Sequence, residues 1–358
     1  MDNTQSAKGT DAQRQSTAGT YTFNSDDAYR QLKRRFEGRV KLHESLAHHS
    51  AFGVGGPADV WLTIDSQNEL IGLVSLCAEE HWPLLLIGNG SNIIFTDAGV
   101  RGIVAKVAVQ GYQITEESDG TALLSVGSGS NWPRLAIELA QLGWGGLEFG
   151  IGIPGTLGAG LISNAGAHNQ DMSNVLEWIE VLDARGSNLE RDELSLPIVR
   201  RYMRDELDLS YRYSRLRAGH ESVITEQGEI LPVPYKLIEP AEIVTQLGLH
   251  LHREQPHLLE EQITQYRHVR QENEPLQRHT GSIFKDPTGQ SASALIEKAG
   301  LKGLTIGKAS ISERNANYIV NQGSATTTDI LNLIKEVHSR IKAQYNIHLE
   351  LNVEVRGA

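Results

Sequence analysis

Residues 145–166 read GGLEFGIGIPGTLGAGLISNAG, eight glycines with a single charged side chain, Glu148. Glycine loses more chain entropy on ordering than any other residue, so such density needs a physical reason. The usual one is a backbone that must come close to something, often a phosphate received by bare amide N–H groups. The stretch therefore predicts a nucleotide cradle. A second glycine turn, GNGSN at residues 88–92, lies about sixty residues earlier, and each turn is preceded by a possible strand. Either alone is an ordinary turn. Together they suggest two jaws on one extended anionic cofactor, with Ser91 and Asn92 adding side-chain donors.

Two familiar glycine motifs fail on context. Gly150, Gly152 and Gly155 spell GxGxxG, but Pro154 sits inside the turn and Gly158 and Gly160 interrupt the helix that should follow. No parallel βαβ repeat comes after, so the dinucleotide fingerprint of the Rossmann fold is set aside. No Gly-Lys-Ser/Thr ends either segment, which removes a Walker loop.

The 358 residues suffice for two or three domains, and 39% hydrophobic with 22% charged residues is ordinary for a globular protein. A formal charge of −11 argues against a broad nucleic-acid surface. The single cysteine, Cys77, precludes an internal disulfide framework, and the thirteen histidines show no HExxH or paired spacing, so no metal site is expected. No run approaches the roughly 18–20 apolar residues of a membrane helix, and the N-terminus lacks a signal-peptide core. The expectation is a cytoplasmic protein bound to neither membrane nor nucleic acid.

Along the chain, residues 1–20 lack large apolar side chains and are expected to be disordered. Residues 26–36 suit a short helix. Residues 58–64 read as a strand, Ser66 as a helix cap, and Leu70, Leu73, Val74 and Cys77 as that helix's apolar face. Strands at 84–87, 93–95 and 102–107 complete a βαβ unit. A strand at 123–126, a helix at 132–142 and a strand at 178–183 flank the glycine-rich stretch. Residues 190–242 are the least regular and predict loops. A strand at 243–252 and a helix at 258–269 follow, with a domain change near His252. The last third predicts a helix at 292–299, strands at 305–311 and 317–320, a long helix from Thr328 and Asp329, and an alternating strand at 349–355.

Three polar residues look unremarkable alone. Ser282 in GSIFKDP reads as a turn serine outside any G-x-S-x-G elbow, Arg212 in SYRYS as a surface guanidinium, and Glu354 as the solvated side of a strand.

Seven segments in order nonetheless resemble one family: FGVGGPAD (52–59), GNGSNII (88–94), GLEF followed by GIPGTLG (to 158), NAGA (164–167), YRYS (211–214), GSIFKDP (281–287) and EVR (354–356). They resemble the UDP-N-acetylenolpyruvoylglucosamine reductases, the MurB-type flavoenzymes of bacterial cell-wall (peptidoglycan) synthesis, over about residues 46–356. The resemblance implies an α+β fold: an N-terminal extension (1–40), a two-lobed FAD-binding domain of the vanillyl-alcohol-oxidase (PCMH) type (41–252, split near 108), and a C-terminal α+β substrate-binding domain (253–358). It implies bound FAD contacted by Gly88, Asn89, Gly90, Ser91, Asn92, Gly152, Ile153, Pro154, Gly155, Thr156, Gly158, Asn164 and Gly166. NADPH would be the hydride source, and the substrate the small molecule UDP-N-acetylglucosamine enolpyruvate, reduced to UDP-N-acetylmuramate, by a protein expected to be a monomer.

The same resemblance gives roles to the three polar residues. Arg212 matches the arginine that steadies charge developing on the substrate, Ser282 the serine that donates a proton, and Glu354 the glutamate that helps polarise the substrate carboxylate. The chain departs from the family where Gly53 stands in place of a basic residue and Asp286 in place of an asparagine, and its 190–242 segment is longer. It resembles the form without a tyrosine-bearing substrate loop, and whether Tyr235 plays that part stays open. A related FAD-linked oxidase of another substrate and a non-catalytic nucleotide-binding relative are the alternative readings.

Overall fold

The computed structural model describes residues 23–188, 195–234 and 236–357. The disorder expected of residues 1–20, and the question of Tyr235, fall outside the described residues. No helix among the described residues is long and apolar enough to cross a membrane.

The first lobe is a five-stranded sheet in the order Lys41–Ser45, Pro57–Ile64, Val100–Val107, Leu84–Ile87, Ile238–Glu239. Its three central strands are parallel, as the βαβ reading requires. The Val100–Val107 strand lies between the two strands joined by helix α2 (Gln67–Glu79). Ser66 caps α2 by accepting from Glu69 N at 3.3 Å, which satisfies one of the orphan amides at the helix start. Val60, Leu62, Ile64, Leu70, Leu73, Cys77, Leu84 and Ile103 form one fully buried core, each large apolar side chain contributing about 1.5–3 kcal/mol. Helix α1 (Ser25–Arg35), capped by Asn24, closes the lobe's edge through Ala28 and Leu32.

The second lobe is an antiparallel sheet ordered Ile198–Met203, Leu176–Asp183, Glu242–Arg253, Thr121–Gly127, Tyr112–Glu116, with Trp144–Gly145 paired to the end of the long third strand. Helix α3 (Trp132–Gln141) opens with the Asn131 cap and Pro133 in its first turn. Its Leu135 and Leu139 pack with Leu124, Val126, Ile179 and Leu247. Helix α4 (Leu157–Ile162) carries the end of the glycine-rich stretch.

Helix α5 (Pro256–Asn273) also buries Leu259 and Ile263 in this second core. On packing grounds we propose that the C-terminal domain begins after α5 rather than at 253. That domain surrounds a second apolar cluster with helices α6 (Ala292–Lys298) and α7 (Thr327–Tyr345) and a small sheet of Thr305–Ile306, Ala309–Ile311 and Ile319–Asn321. The cap of α7 is Thr326, reciprocated by Asp329.

Two sequence expectations fail. Residues 190–242 are not simply loops: Ile198–Met203 pairs in full register with Leu176–Asp183, Ile238–Glu239 joins the first sheet, and Val223–Ile224 pairs with Ile230–Leu231 as a hairpin. The final run is not one strand. Leu349, Leu351, Val353 and Val355 are all buried, as alternation predicts, but only Glu354–Arg356 forms a ladder, parallel to Ile93–Phe95 of the glycine turn. The preceding residues hydrogen-bond instead to the Ser282 segment, with Lys285 N donating to Glu350 O at 2.9 Å.

Candidate active site

A cleft of about 430 Å³ opens where the two lobes and the C-terminal domain meet. One wall is the turn that follows strand Leu84–Ile87; the other is the glycine-rich stretch. They face each other closely: a Cβ on Gly155, at φ +132°, would lie 2.8 Å from Ser91 Oγ, and one on Gly88 2.8 Å from Thr156 Oγ1. Gly90, at φ +62°, has no room because a Cβ would overlap the His49 carbonyl oxygen.

The other glycines of residues 145–166 divide by cause. Gly150 and Gly160 make room for the Trp132 ring, which donates to Leu147 O at 3.3 Å. Glu148 turns its carboxylate back onto Gly146 N at 3.0 Å, so the stretch's one charge is spent inside its own loop. Gly152 packs against the Arg270 side chain.

Of the thirteen residues expected at the cofactor, ten line the cleft: Gly88, Gly90, Ser91, Asn92, Ile153, Pro154, Gly155, Thr156, Gly158 and Gly166. Three do not. Asn89 and Gly152 are absent from the lining, and Asn164 is buried with its side chain committed elsewhere, donating to Ser210 O at 2.9 Å and accepting from Ser173 N at 3.0 Å. Asn164 anchors the loop that carries Arg212 and is not itself a cleft residue.

Arg212, Ser282 and Glu354, distant in sequence, all line the same cleft. Arg212 sits at φ +55° and donates from Nη2 to Gly166 O at 3.2 Å. Its own carbonyl accepts from Nη1 of the buried Arg217 at 2.9 Å. Arg217 Nη2 donates to Asn352 O at 2.8 Å, and Asn92 Nδ2 donates to the same oxygen at 2.9 Å. Asn352 Nδ2 donates to Ser282 O at 3.1 Å, and Glu354 N to Asn92 O at 3.0 Å. One web thus fixes the backbones of all three residues. Sequence reading missed Arg217 and Asn352, because both act on main-chain atoms far away in sequence.

Beside Ser282, Tyr318 forms an isolated bridge and donates its hydroxyl to Glu274 at 3.0 Å. Burial and the neighbouring Glu274 charge push that phenol well above its ordinary range, so it stays protonated. Burial holds His279 below the usual imidazole value despite Glu274, which suits Nδ1 accepting from Gly281 N at 3.0 Å.

Both departures find a place. A Cβ on Gly53 would overlap the Arg278 guanidinium, so Arg278 occupies the space a side chain at 53 would take. Asp286 faces neither glycine turn; it accepts from Ala292 N at 2.8 Å at the start of α6 and from the Tyr211 hydroxyl at 3.2 Å.

The lining also carries polar atoms the protein leaves unsatisfied. Ser128 Oγ, Arg270 Nε, Thr280 Oγ1 and Asn352 Oδ1 are buried with no partner among the described residues, and all four residues line the cleft. Buried polar groups are normally paired, so four orphans around one cavity mark a polar occupant. With two bare glycine turns for a pyrophosphate and apolar Ile87, Ile153, Leu216 and Val244 for a ring system, the donor set fits a flavin dinucleotide.

The sequence pattern of an FAD binding domain matches residues 58–191, across both lobes. That of the UDP-N-acetylenolpyruvoylglucosamine reductase C-terminal domain matches residues 272–356, starting at the end of α5. The reductase of Heliobacterium modesticaldum is 35% identical over 91% of this chain and 94% of its own. A reductase of Symbiobacterium thermophilum is 36% identical over 90% and 94% respectively. The chain belongs to the UDP-N-acetylenolpyruvoylglucosamine reductase family. The solved reductase of Thermus caldophilus is 32% identical, covers 88% of this chain and 98% of its own, and superposes with a TM-score of 0.65. The expected fold, a two-lobed FAD-binding domain followed by the family's C-terminal domain, is thereby shown. Membership also makes this an oxidoreductase with FAD as its cofactor.

Proposed function

We infer that this reductase performs the family reaction, reducing UDP-N-acetylglucosamine enolpyruvate to UDP-N-acetylmuramate for peptidoglycan synthesis. The observation that carries the reading is the convergence of Arg212, Ser282 and Glu354, from segments 70 residues or more apart, on one cleft beside two apposed glycine turns. When bound, FAD supplies to the terminal carbon of the enol ether a hydride drawn from NADPH. Negative charge then builds on the adjacent carbon and its carboxylate. Arg212 provides the fixed cation this charge requires, its backbone locked by Arg217 and its guanidinium by Gly166 O. Ser282 Oγ, with no protein partner among the described residues, is free to give the adjacent carbon its proton, and the alkoxide is restored from solvent. Glu354 faces the same carboxylate with its charge offset by Arg356, which donates to its Oε2 from Nε at 3.2 Å and Nη2 at 2.9 Å. The protein works in the cytoplasm, where NADPH and sugar nucleotides are held, and as a monomer whose cleft is complete within one chain.

The test is spectroscopic. Purified protein should be yellow, bleach with NADPH under anaerobic conditions, and regain its colour when the enolpyruvyl sugar nucleotide is added. Bleached protein that is reoxidised by oxygen but not by that substrate would point to an oxidase instead.

A further inference from the structure

Behind the cleft lining lies a buried carboxylate that the reaction as described does not use. Glu239 is fully buried, in a strand paired to Leu84 and Leu85 of the strand that leads into the Gly88 turn. Its Oε1 receives Arg356 Nη1 at 2.9 Å and a hydrogen bond shared with His220 Nδ1. Its Oε2 has no partner among the described residues. Both partners line the cleft, and Arg356 also donates from Nε and Nη2 to Glu354. The other carboxylate on this side, Glu242, is already held by Tyr202 at 2.9 Å and Arg215 at 3.3 Å.

As a source of stability this arrangement is poor. Burying a carboxylate with one oxygen unsatisfied costs more than an apolar residue of similar size would. What the arrangement does achieve is geometric. A guanidinium bonded to one carboxylate alone can swing about it; bonded to two, in different strands, its plane is fixed. Arg356 is tied to Glu239 of the first lobe and to Glu354 of the last strand, so Glu354 can be carried by Arg356 only in one orientation, with Oε1 left for the substrate. Arg356 is bonded to a carboxylate on either side, Glu239 and Glu354, so it is held between them rather than collapsing wholly onto Glu354.

We propose that Glu239, seconded by His220, is a positioning residue for substrate reduction, which through Arg356 holds the Glu354 carboxylate toward the substrate. The proposal rests on the role given to Glu354 above.

The experiment separates the two half-reactions by anaerobic stopped flow in the FAD-loaded wild type and in Glu239→Gln, Glu354→Gln and the double variant. The Gln at 239 keeps the shape and an acceptor but not the charge. FAD content and the bleaching rate with NADPH should stay within about threefold of wild type, while the maximal rate of reoxidation by substrate falls at least about tenfold with little change in half-saturation. The affinity for UDP-N-acetylmuramate, read from the perturbed flavin spectrum, should move less than about threefold, since positioning matters in the transition state. The double variant should be no slower than Glu354→Gln alone, because residues acting through one another are not additive. His220→Gln, on a more accessible side chain, should show the same half-reaction split at smaller size and serves where Glu239→Gln does not fold. Equal slowing of both half-reactions, or additive losses in the double variant, would overturn the proposal. A wild-type protein that the substrate cannot reoxidise would instead overturn the family reaction, a distinct outcome.

Discussion

At the residue scale, Ser282 is the sharpest probe. Its carbonyl is held by Asn352 and its hydroxyl is unspent, so removing the hydroxyl deletes a proton donor without opening the fold. Ser282→Ala should slow reoxidation of the reduced flavin by substrate at least about 100-fold while leaving reduction by NADPH nearly intact. Equal losses in both half-reactions, measured in one stopped-flow series, would contradict the proton-donor role. None of this is visible in Ser282 alone. Serine in a glycine turn, arginine between tyrosines and glutamate on an alternating strand each have commoner uses, and only the ordered set of seven segments singled them out. Asn352, Arg217 and Glu239 carried no signal at all. Asn352 falls on the polar side of the alternation with Glu350 and Glu354, and its work lies in contacts to distant segments: its side chain donates to Ser282 O and its carbonyl accepts from Asn92 and Arg217.

At the scale of elements, the sequence was most readable where a local rule acts by itself. Ser66 reads as the cap of α2 and is; α7, expected from Thr328 and Asp329, starts at Thr327 behind a Thr326 cap that Asp329 reciprocates, so both helices start within a residue or two of the expected place. Strand Ile198–Met203 was missed because it is an edge strand whose side chains are mostly exposed, leaving no inside–outside alternation to read. The final run misled for the opposite reason: the alternation is real, but its partners change midway from the Ser282 segment to the Gly88 turn. Glycine density was the most ambiguous signal, since close approach to a protein side chain and to a ligand leave the same letters. Gly150 and Gly160 answer to Trp132, whereas Gly90 answers to the His49 backbone beside the cleft. Gly90→Ala should therefore be severe. Its positive φ and the overlap with a main-chain oxygen together cost more than the ~1 kcal/mol of an ordinary Gly-to-Ala strain, and the turn must move. The expected result is protein purified with little bound flavin, with a lowered thermal midpoint. Full flavin content at wild-type midpoint would show that the turn tolerates a side chain.

At the scale of the whole molecule, the 190–242 segment ties the parts together. Its hairpin sends Ile224 into the C-terminal core, Ser222 exchanges hydrogen bonds with Val355, and Lys342 of α7 reaches Glu226. The segment's other end pairs Ile238–Glu239 with the first lobe, so one stretch of chain spans all three units around the cleft. Charged seams go with this architecture, and they make stability depend on pH. Asp183, at the end of a central strand of the second sheet, is held far below the ordinary carboxylate range by Arg185, against the opposing effect of burial, with Arg200 adding to it. Burial pushes Glu239 up, but His220 and Arg356 outweigh it and leave it lowered too. A carboxylate whose folded value lies below its unfolded one binds protons more weakly in the folded state. Its contribution is therefore complete above about pH 5 and is lost as pH falls through about 4 toward the folded value. The thermal midpoint should be flat from neutral pH to about 5 and then drop. Asp183→Asn should start lower at neutral pH and lose part of that acid-side slope, because the linkage at that position is gone. A variant whose midpoint falls as steeply as wild type between about pH 5 and 3 would show that Asp183 does not carry this dependence.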